Sequence, residues 1–286
     1  MNDIDQTEFV RFWNTVLVPK FVRYKHVLVG GLGAHSAAIF PRLEVNPGDR
    51  IVDAGAGFGD TAIMLAKRAG PSGHVTAVDC CDGFIEFGRK DAAAAGVTNI
   101  SWVVSDIQRE RFEPVHDLIF SRFGTMFFEN PVVALKNMRT ALRPDGRFVM
   151  IVWRTIGDNP WLGMAKEVAL RHLPPPGENA DTCGPGPFSM AGKDMVSTQL
   201  RIAGYDRVSF ERVDATIRMG DDIEDAIGFQ IALGPAGEIY REAKELGPRK
   251  LPAIEAELRE RLAPFAREDG VFMDSSSWVV SARNPA

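Results

Sequence analysis

The run Val52-Asp-Ala-Gly-Ala-Gly-Phe-Gly-Asp60 constrains this chain more than any other segment. Before it, Arg50–Asp53 reads as a short buried strand; after it, Thr61-Ala-Ile-Met-Leu-Ala-Lys-Arg68 reads as a helix stopped by Gly70-Pro71. A strand that passes through Gly-x-Gly-x-Gly into a helix lets backbone approach a ligand closely, because glycine has no Cβ. Such a turn also aims free helix N–H groups into the crevice at the carboxyl edge of a sheet. A dinucleotide-binding turn would want another glycine at position 60, where this chain has Asp60.

Strand and helix alternate beyond the turn. The pattern predicts strands over His74–Asp79, Ile100–Ser105, Asp117–Ser121 and Arg147–Trp153, with helices over 82–95 and from Asn130-Pro131 to Leu142. Such alternation means a parallel sheet with helices on both faces. Upstream, residues 8–29 predict two short helices broken at Pro19, and a third helix over 32–42. Downstream the rhythm is lost. A helix over 158–173, a proline/glycine loop from Pro174 to Pro187, a helix over 192–203 and a strand over Val208–Ile217 come first. Helices near 221–232, 236–246 and 251–263 follow, the last with a Leu251, Ile254, Leu258, Leu262 stripe, and a strand over Ser277–Ala282 ends the pattern. The chain therefore divides into an N-terminal helical cap (1–47), a binding core (48–153) and a third part (154–286) with a lid insertion, extra helices and the last two strands, all in one compact domain.

Acidic residues end the next two strand units. Asp79 can accept two hydrogen bonds from a ribose diol, and Asp106 is placed to accept from an exocyclic amine on an adenine. One Asp at a strand end is most often a cap or a turn residue. Three at successive strand ends, with Asp53, point to a ligand.

Asp53-x-Gly55-x-Gly57-x-Gly59, Asp79, Asp106-Ile107, Leu118-Ile-Phe-Ser121 and Leu142-Arg-Pro-Asp-Gly-Arg147, taken in order, resemble the class I S-adenosylmethionine-dependent methyltransferases. The resemblance covers residues 48–153 and is nearest the ubiquinone/menaquinone biosynthesis branch; Ala56 stands where many of those relatives have cysteine. It implies a Rossmann-like, doubly wound, seven-stranded sheet with its last strand antiparallel. It also implies S-adenosyl-L-methionine as cofactor. The glycine turn with Asp53, Gly55, Ala56, Gly57 and Gly59 would hold the methionine end, and Asp79 the ribose. Cys80 and Ile107 would flank the adenine, Asp106 would meet its amino group, and Ser121 would lie near the reactive methyl.

Methyl transfer is an in-line displacement, so alignment and exclusion of water come first, and a general base matters only if the acceptor loses a proton. No side chain is singled out as catalytic. Tyr24, Arg122 and Trp153 are candidates for substrate contact, with Arg154 beside them. His74 and His116 start strands at the wrong edge, and His26 and His35 read as solvated faces of the cap helices. Phe123, Met126, Phe127 and Phe128 form an apolar cluster after the fourth strand. Cys80, Cys81 and Cys183 lack the spacing of a thiol-dependent or zinc site, so no metal is expected.

Charge and motif absences narrow the acceptor. The formal charge of −5 and the lack of a basic run disfavour nucleic acid. The fourth strand runs into Ser121-Arg-Phe-Gly124 rather than the Asn/Asp-Pro-Pro-Tyr/Phe of amino methylases, and no Pro-Cys pair exists for cytosine attack. A small, apolar or aromatic molecule is expected beneath a lid of the cap and the 154–204 insertion. The alternatives are a nicotinamide oxidoreductase on a related sheet and a cofactor-binding module without turnover. With no apolar run of about 18 residues and no signal pattern at Met1–Gln6, a cytoplasmic enzyme, monomer or homodimer, is expected.

Overall fold

A computed structural model describes residues 7–177 and 184–286. The cap holds α1 (Glu8–Phe12), α2 (Val18–Arg23) and α3 (Gly33–Ile39), joined by wide π-type turns at Trp13–Leu17 and His26–Gly31. The break expected at Pro19 does not occur. Pro19 falls in the first turn of α2, where a missing N–H leaves no bond unmade, and the wide turn before it accommodates the ring.

The core runs β1 (Arg50–Ala54), α4 (Asp60–Ala69), β2 (His74–Asp79), α5 (Asp82–Ala94), β3 (Ile100–Val104), β4 (His116–Arg122), α6 (Pro131–Ala141) and β5 (Leu142–Trp153). Asn130 caps α6, its side-chain oxygen accepting from the Val133 N–H at 3.1 Å, with Pro131 at the first helical position. The remainder is α7 (Pro160–His172), α8 (Lys193–Ile202), β6 (Asp206–Gly220), α9 (Ile223–Ala232), α10 (Gly234–Glu242), α11 (Leu246–Leu262), β7 (Ala266–Arg267) and β8 (Gly270–Arg283).

The strands lie in the order β3-β2-β1-β4-β5-β8-β6. β1 pairs in parallel with β2 and β4, and β8 runs antiparallel between β5 and β6. The last strand is thus antiparallel as expected, but the sheet has eight strands rather than seven. The eighth is the two-residue β7, paired with β8 and too short to show a hydrophobic period in the sequence. β8 itself starts well before Ser277, because its Ser275-Ser276-Ser277 run reads as polar loop. In the fold those serines are buried and satisfied: His35 meets Ser275 and Ser277 through its two ring nitrogens at 2.8 and 2.9 Å, and Asn159 accepts the Ser276 N–H at 2.9 Å.

Central strand residues Ile51, Val52, Leu118, Ile119, Phe120, Met150 and Ile151 are fully buried, which is why these strands read as continuous apolar runs. The switch point between β1 and β4 opens toward the carboxyl ends of the strands, and the cap lies over it. Among the described residues, no helix is long and apolar enough to cross a membrane.

Candidate active site

A cleft of about 1060 Å³ opens at that switch point. Gly55, Ala56, Gly57, Asp79, Cys80, Asp106 and Ile107 all line it, joined by Arg122 and Phe123 from the end of β4 and by Val10, Trp13, Phe21 and Leu28 from the cap. The ordered motif set is therefore brought to one place.

The glycine turn is held from within. The N–H groups of Gly55 and Ala56 donate to the Val78 carbonyl at 2.9 and 3.0 Å, and that of Gly57 donates to Asp79 Oδ2 at 2.9 Å. These three N–H groups of the turn are thus already bonded; those expected to face the crevice belong to the helix that follows, α4. Asp79 Oδ1 accepts from Cys81 N–H at 2.9 Å, so this one carboxylate pins the turn to the end of β2. Burial pushes its pKa up, against the pull of those N–H donors.

Gly57 and Gly59 need glycine for different reasons. Gly57 has φ +53° and nothing within 4 Å of where a Cβ would stand, so that Cβ would enter the cleft. Gly59, expected to touch cofactor, does not line the cleft. At φ +76° its Cβ would come within 2.4 Å of the Trp102 ring, so its smallness seats α4 against β3. Ser121, expected near the reactive methyl, does not line the cleft either. It is fully buried and donates to the Ala54 carbonyl at 2.7 Å, joining β4 to the end of β1. Asp53 lies beneath the turn, fully buried. Thr61 donates to its Oδ2 at 2.7 Å, its Oδ1 has no hydrogen-bond partner among the described residues, and burial raises the carboxyl to about 7.

The cleft is acidic. Asp60, Asp79, Asp106 and Glu129 line it against one basic side chain, Arg122. That guanidinium is committed to Asp60, Nη1 to Oδ2 at 2.7 Å and Nη2 to Oδ1 at 2.9 Å, and donates to Ser36 of the cap at 2.9 Å. Arg122 thus ties the cap to the core. Asp106 accepts from the Gln108 N–H at 2.9 Å.

A second cavity of about 860 Å³ adjoins the first and shares Trp13, Phe21, Leu28, Leu32, Phe123 and Phe127 with it. Trp153, expected at the substrate, lines this chamber, as do Trp161, Leu162, Met126 and Phe229. Phe123 adopts φ +56°, which costs a non-glycine residue on the order of 1 kcal/mol. Its ring is stacked on Trp153 at 3.8 Å and 13°, which offsets the strain and fixes the wall between the two cavities.

Three other expectations change. Tyr24 lines neither cavity; it is 2% exposed, edge-on to Phe229 at 5.6 Å, and burial raises its phenol pKa. Arg154 also lines neither: it lies over Trp278 at 4.2 Å and pairs with Asp158 at 3.2 Å. His35 is fully buried rather than solvated, because its apolar ring edges meet Phe123 and Trp153 while both nitrogens find serines. His26 does sit on an exposed face, 2.6 Å from Asp225. His116 is buried at the far edge of the sheet, as its position at the start of β4 requires. Cys183 and the middle of the proline/glycine loop, 178–183, lie outside the described residues. Sequence reasoning missed Leu28, Leu32 and Glu129, which carry no motif signal.

Burial, helped by Arg122, lowers the His35 pKa from 6.5 to about 4. The unfolded chain takes up this proton near 6.5 and the fold only near 4, so the group costs nothing above 6.5 and withdraws up to about 3 kcal/mol as pH falls between the two. Imidazole chemical shifts should show one ring still neutral at about pH 5. A His35 that titrates at its ordinary value would disprove this placement.

A methyltransferase domain model matches residues 51–146. The ubiquinone/menaquinone biosynthesis C-methyltransferase UbiE of Bordetella avium is 28% identical over 193 residues, 62% of this chain and 71% of its own. The aklanonic acid methyltransferase DauC of a Streptomyces species is 32% identical over 135 residues, 44% of this chain and 61% of its own. Among solved structures, phosphoethanolamine N-methyltransferase 2 of Haemonchus contortus, in complex with S-adenosyl-L-methionine, superposes with a TM-score of 0.59 at 14% identity, covering 98% of this chain and 60% of that one. That last likeness is one of fold.

Proposed function

The chain is a class I S-adenosylmethionine-dependent methyltransferase near the ubiquinone/menaquinone branch, and from that premise we propose that it methylates a small, largely apolar or aromatic molecule held in the second cavity. The observation that carries the reading is the charge of the cleft. A ligand bearing an ammonium and a sulfonium suits Asp60, Asp79, Asp106 and Glu129, whereas a pyrophosphate would face those carboxylates with the amides of Gly55, Ala56 and Gly57 already bonded. The nicotinamide alternative therefore finds no support, and a module without turnover finds none among relatives named as methyltransferases.

S-adenosylmethionine supplies an electrophilic methyl on a sulfonium. In the proposed assignment Gly55, Ala56 and Gly57 accept its amino-acid end, Asp79 its ribose, and Cys80, Asp106 and Ile107 its adenine. Ser121 and Gly59 shape the turn instead of touching the ligand. Asp53 acts from beneath as a buried negative charge. The Phe123–Trp153 wall faces the acceptor chamber, and the cap with Trp161 and Leu162 keeps water out of it. One relative is named for a small acceptor, aklanonic acid, and another for ubiquinone/menaquinone biosynthesis, which supports a small molecule here. We assign the cap and the described residues of the 154–204 insertion as its cover. Tyr24 and Val27 of the cap belong to the main core, so that cover is built into the fold rather than appended to it.

Ala232, half-buried at the end of α9, lines only the second cavity. Ala232→Phe should leave S-adenosylhomocysteine affinity within about twofold while cutting transfer of labelled methyl to small aromatic acceptors at least about tenfold, a loss of about 1.4 kcal/mol in the transition state. Unchanged turnover in this variant would move the acceptor elsewhere.

A cationic ligand favours ionised Asp53, which is protonated below about 7. S-adenosylmethionine affinity should therefore fall several-fold, by roughly 1 kcal/mol, as pH drops from about 8 to 6. Asp53→Asn should flatten that profile; a profile equally steep in the variant would exclude Asp53 as its origin.

A further inference from the structure

Among the described residues, the acceptor chamber has one acidic side chain. Its walls are aromatic and aliphatic, but Glu238 of α10 lines it, with Arg241 one turn further along the same helix. Glu238 makes no hydrogen bond and no ion pair with the described residues, although it is half-buried. Its carboxylate faces an apolar cavity on one side, where an unmet charge is costly. The charges facing it from nearby are Arg241 and Glu242 on its own helix and Lys166 on α7, two positive and one negative. With Glu238 itself the set is neutral, so a cationic ligand group would gain nothing from the surroundings beyond one carboxylate. Burial dominates these neighbours and pushes the Glu238 pKa upward.

We propose that Glu238 is the specificity-determining residue of the acceptor chamber: it accepts a hydrogen bond from a neutral hydroxyl group on a flat, apolar acceptor. The inference rests on the methyltransferase reading and on the chamber being the acceptor site. The flat body follows from the stacked Phe123–Trp153 pair and from Trp161, set edge-on to Trp153 at 5.1 Å. The hydroxyl follows from a carboxylate that has no donor among the described residues. An apolar pocket rejects an analogue lacking the hydroxyl weakly; a half-buried carboxylate on its wall discriminates more, because it then loses its partner in the chamber.

The test uses a matched pair of probes, 2-naphthol and 2-methoxynaphthalene, titrated by calorimetry into the full chain saturated with S-adenosylhomocysteine. The native protein should bind 2-naphthol about tenfold or more tightly than the ether, in line with a hydrogen bond to a charged group. Glu238→Leu should abolish that preference and Glu238→Gln should keep part of it, with S-adenosylhomocysteine affinity unchanged in both. Equal binding of the two probes by the native protein, a preference retained in Glu238→Leu, or no binding of either probe to the saturated protein would overturn the role of Glu238 while leaving the cofactor site standing. Failure to bind S-adenosylhomocysteine at all would overturn the reading beneath it, and the inference with it.

Discussion

Gly57→Val is expected to reduce S-adenosylhomocysteine affinity more than about 100-fold while the protein stays folded, a loss above about 2.7 kcal/mol. The valine Cβ would meet no protein atom, since nothing lies within 4 Å; the side chain would stand in the cleft itself. A β-branched residue at φ +53° adds roughly 1–2 kcal/mol of backbone strain, so the melting temperature should fall by several degrees as well. Alanine separates the two effects, because its methyl takes less of the cleft and its strain is smaller. The expected order of affinity is Gly, then Ala, then Val. If valine binds within twofold of the native protein, the turn does not hold the cofactor.

Asp79→Ala should weaken binding comparably, by another route. Its carboxylate accepts from both Gly57 and Cys81 N–H groups at 2.9 Å, so its removal strands two donors and loosens the turn before any ligand contact is counted. Together with a lost charge-assisted contact, this amounts to roughly 2–4 kcal/mol of binding free energy. Asp79→Asn separates structure from binding, since its amide oxygen still accepts from one N–H. It should melt close to the native protein yet bind S-adenosylhomocysteine at least about tenfold more weakly. An alanine variant that binds normally would show that Asp79 only braces the turn.

These two residues were legible in the sequence because their signals are local. A strand, a glycine turn and a helix occupy Arg50–Ala69 without interruption, and Asp79 ends the strand next to it. The parallel core was legible for the same reason: its strands are buried on both faces and read as apolar runs. Assigning side chains to the cleft was harder. Asp53, Gly59 and Ser121 belong to the motif, yet the fold uses them below or beside the cleft, where their partners Thr61, Trp102 and Ala54 decide their roles. No spacing in the chain announces those pairings. His35 and the Ser275–Ser277 run are the clearest case. Each reads as polar surface alone, and only their meeting across 240 positions buries both. Tyr24 failed in the opposite sense, an aromatic with a polar end that the fold packs against Phe229. Glu238 carried no signal at all, because an acidic residue on an amphipathic helix is ordinarily a solvated one.

The central claim is that the acidic cleft at the carboxyl edge of the sheet holds S-adenosylmethionine. Calorimetric titration of the full chain with S-adenosylhomocysteine and, separately, with NADH tests it most directly. The account predicts saturable one-to-one binding of S-adenosylhomocysteine, lost in Gly57→Val, and none of NADH. Binding of NADH in place of S-adenosylhomocysteine, or equal binding of S-adenosylhomocysteine by the valine variant, would contradict it.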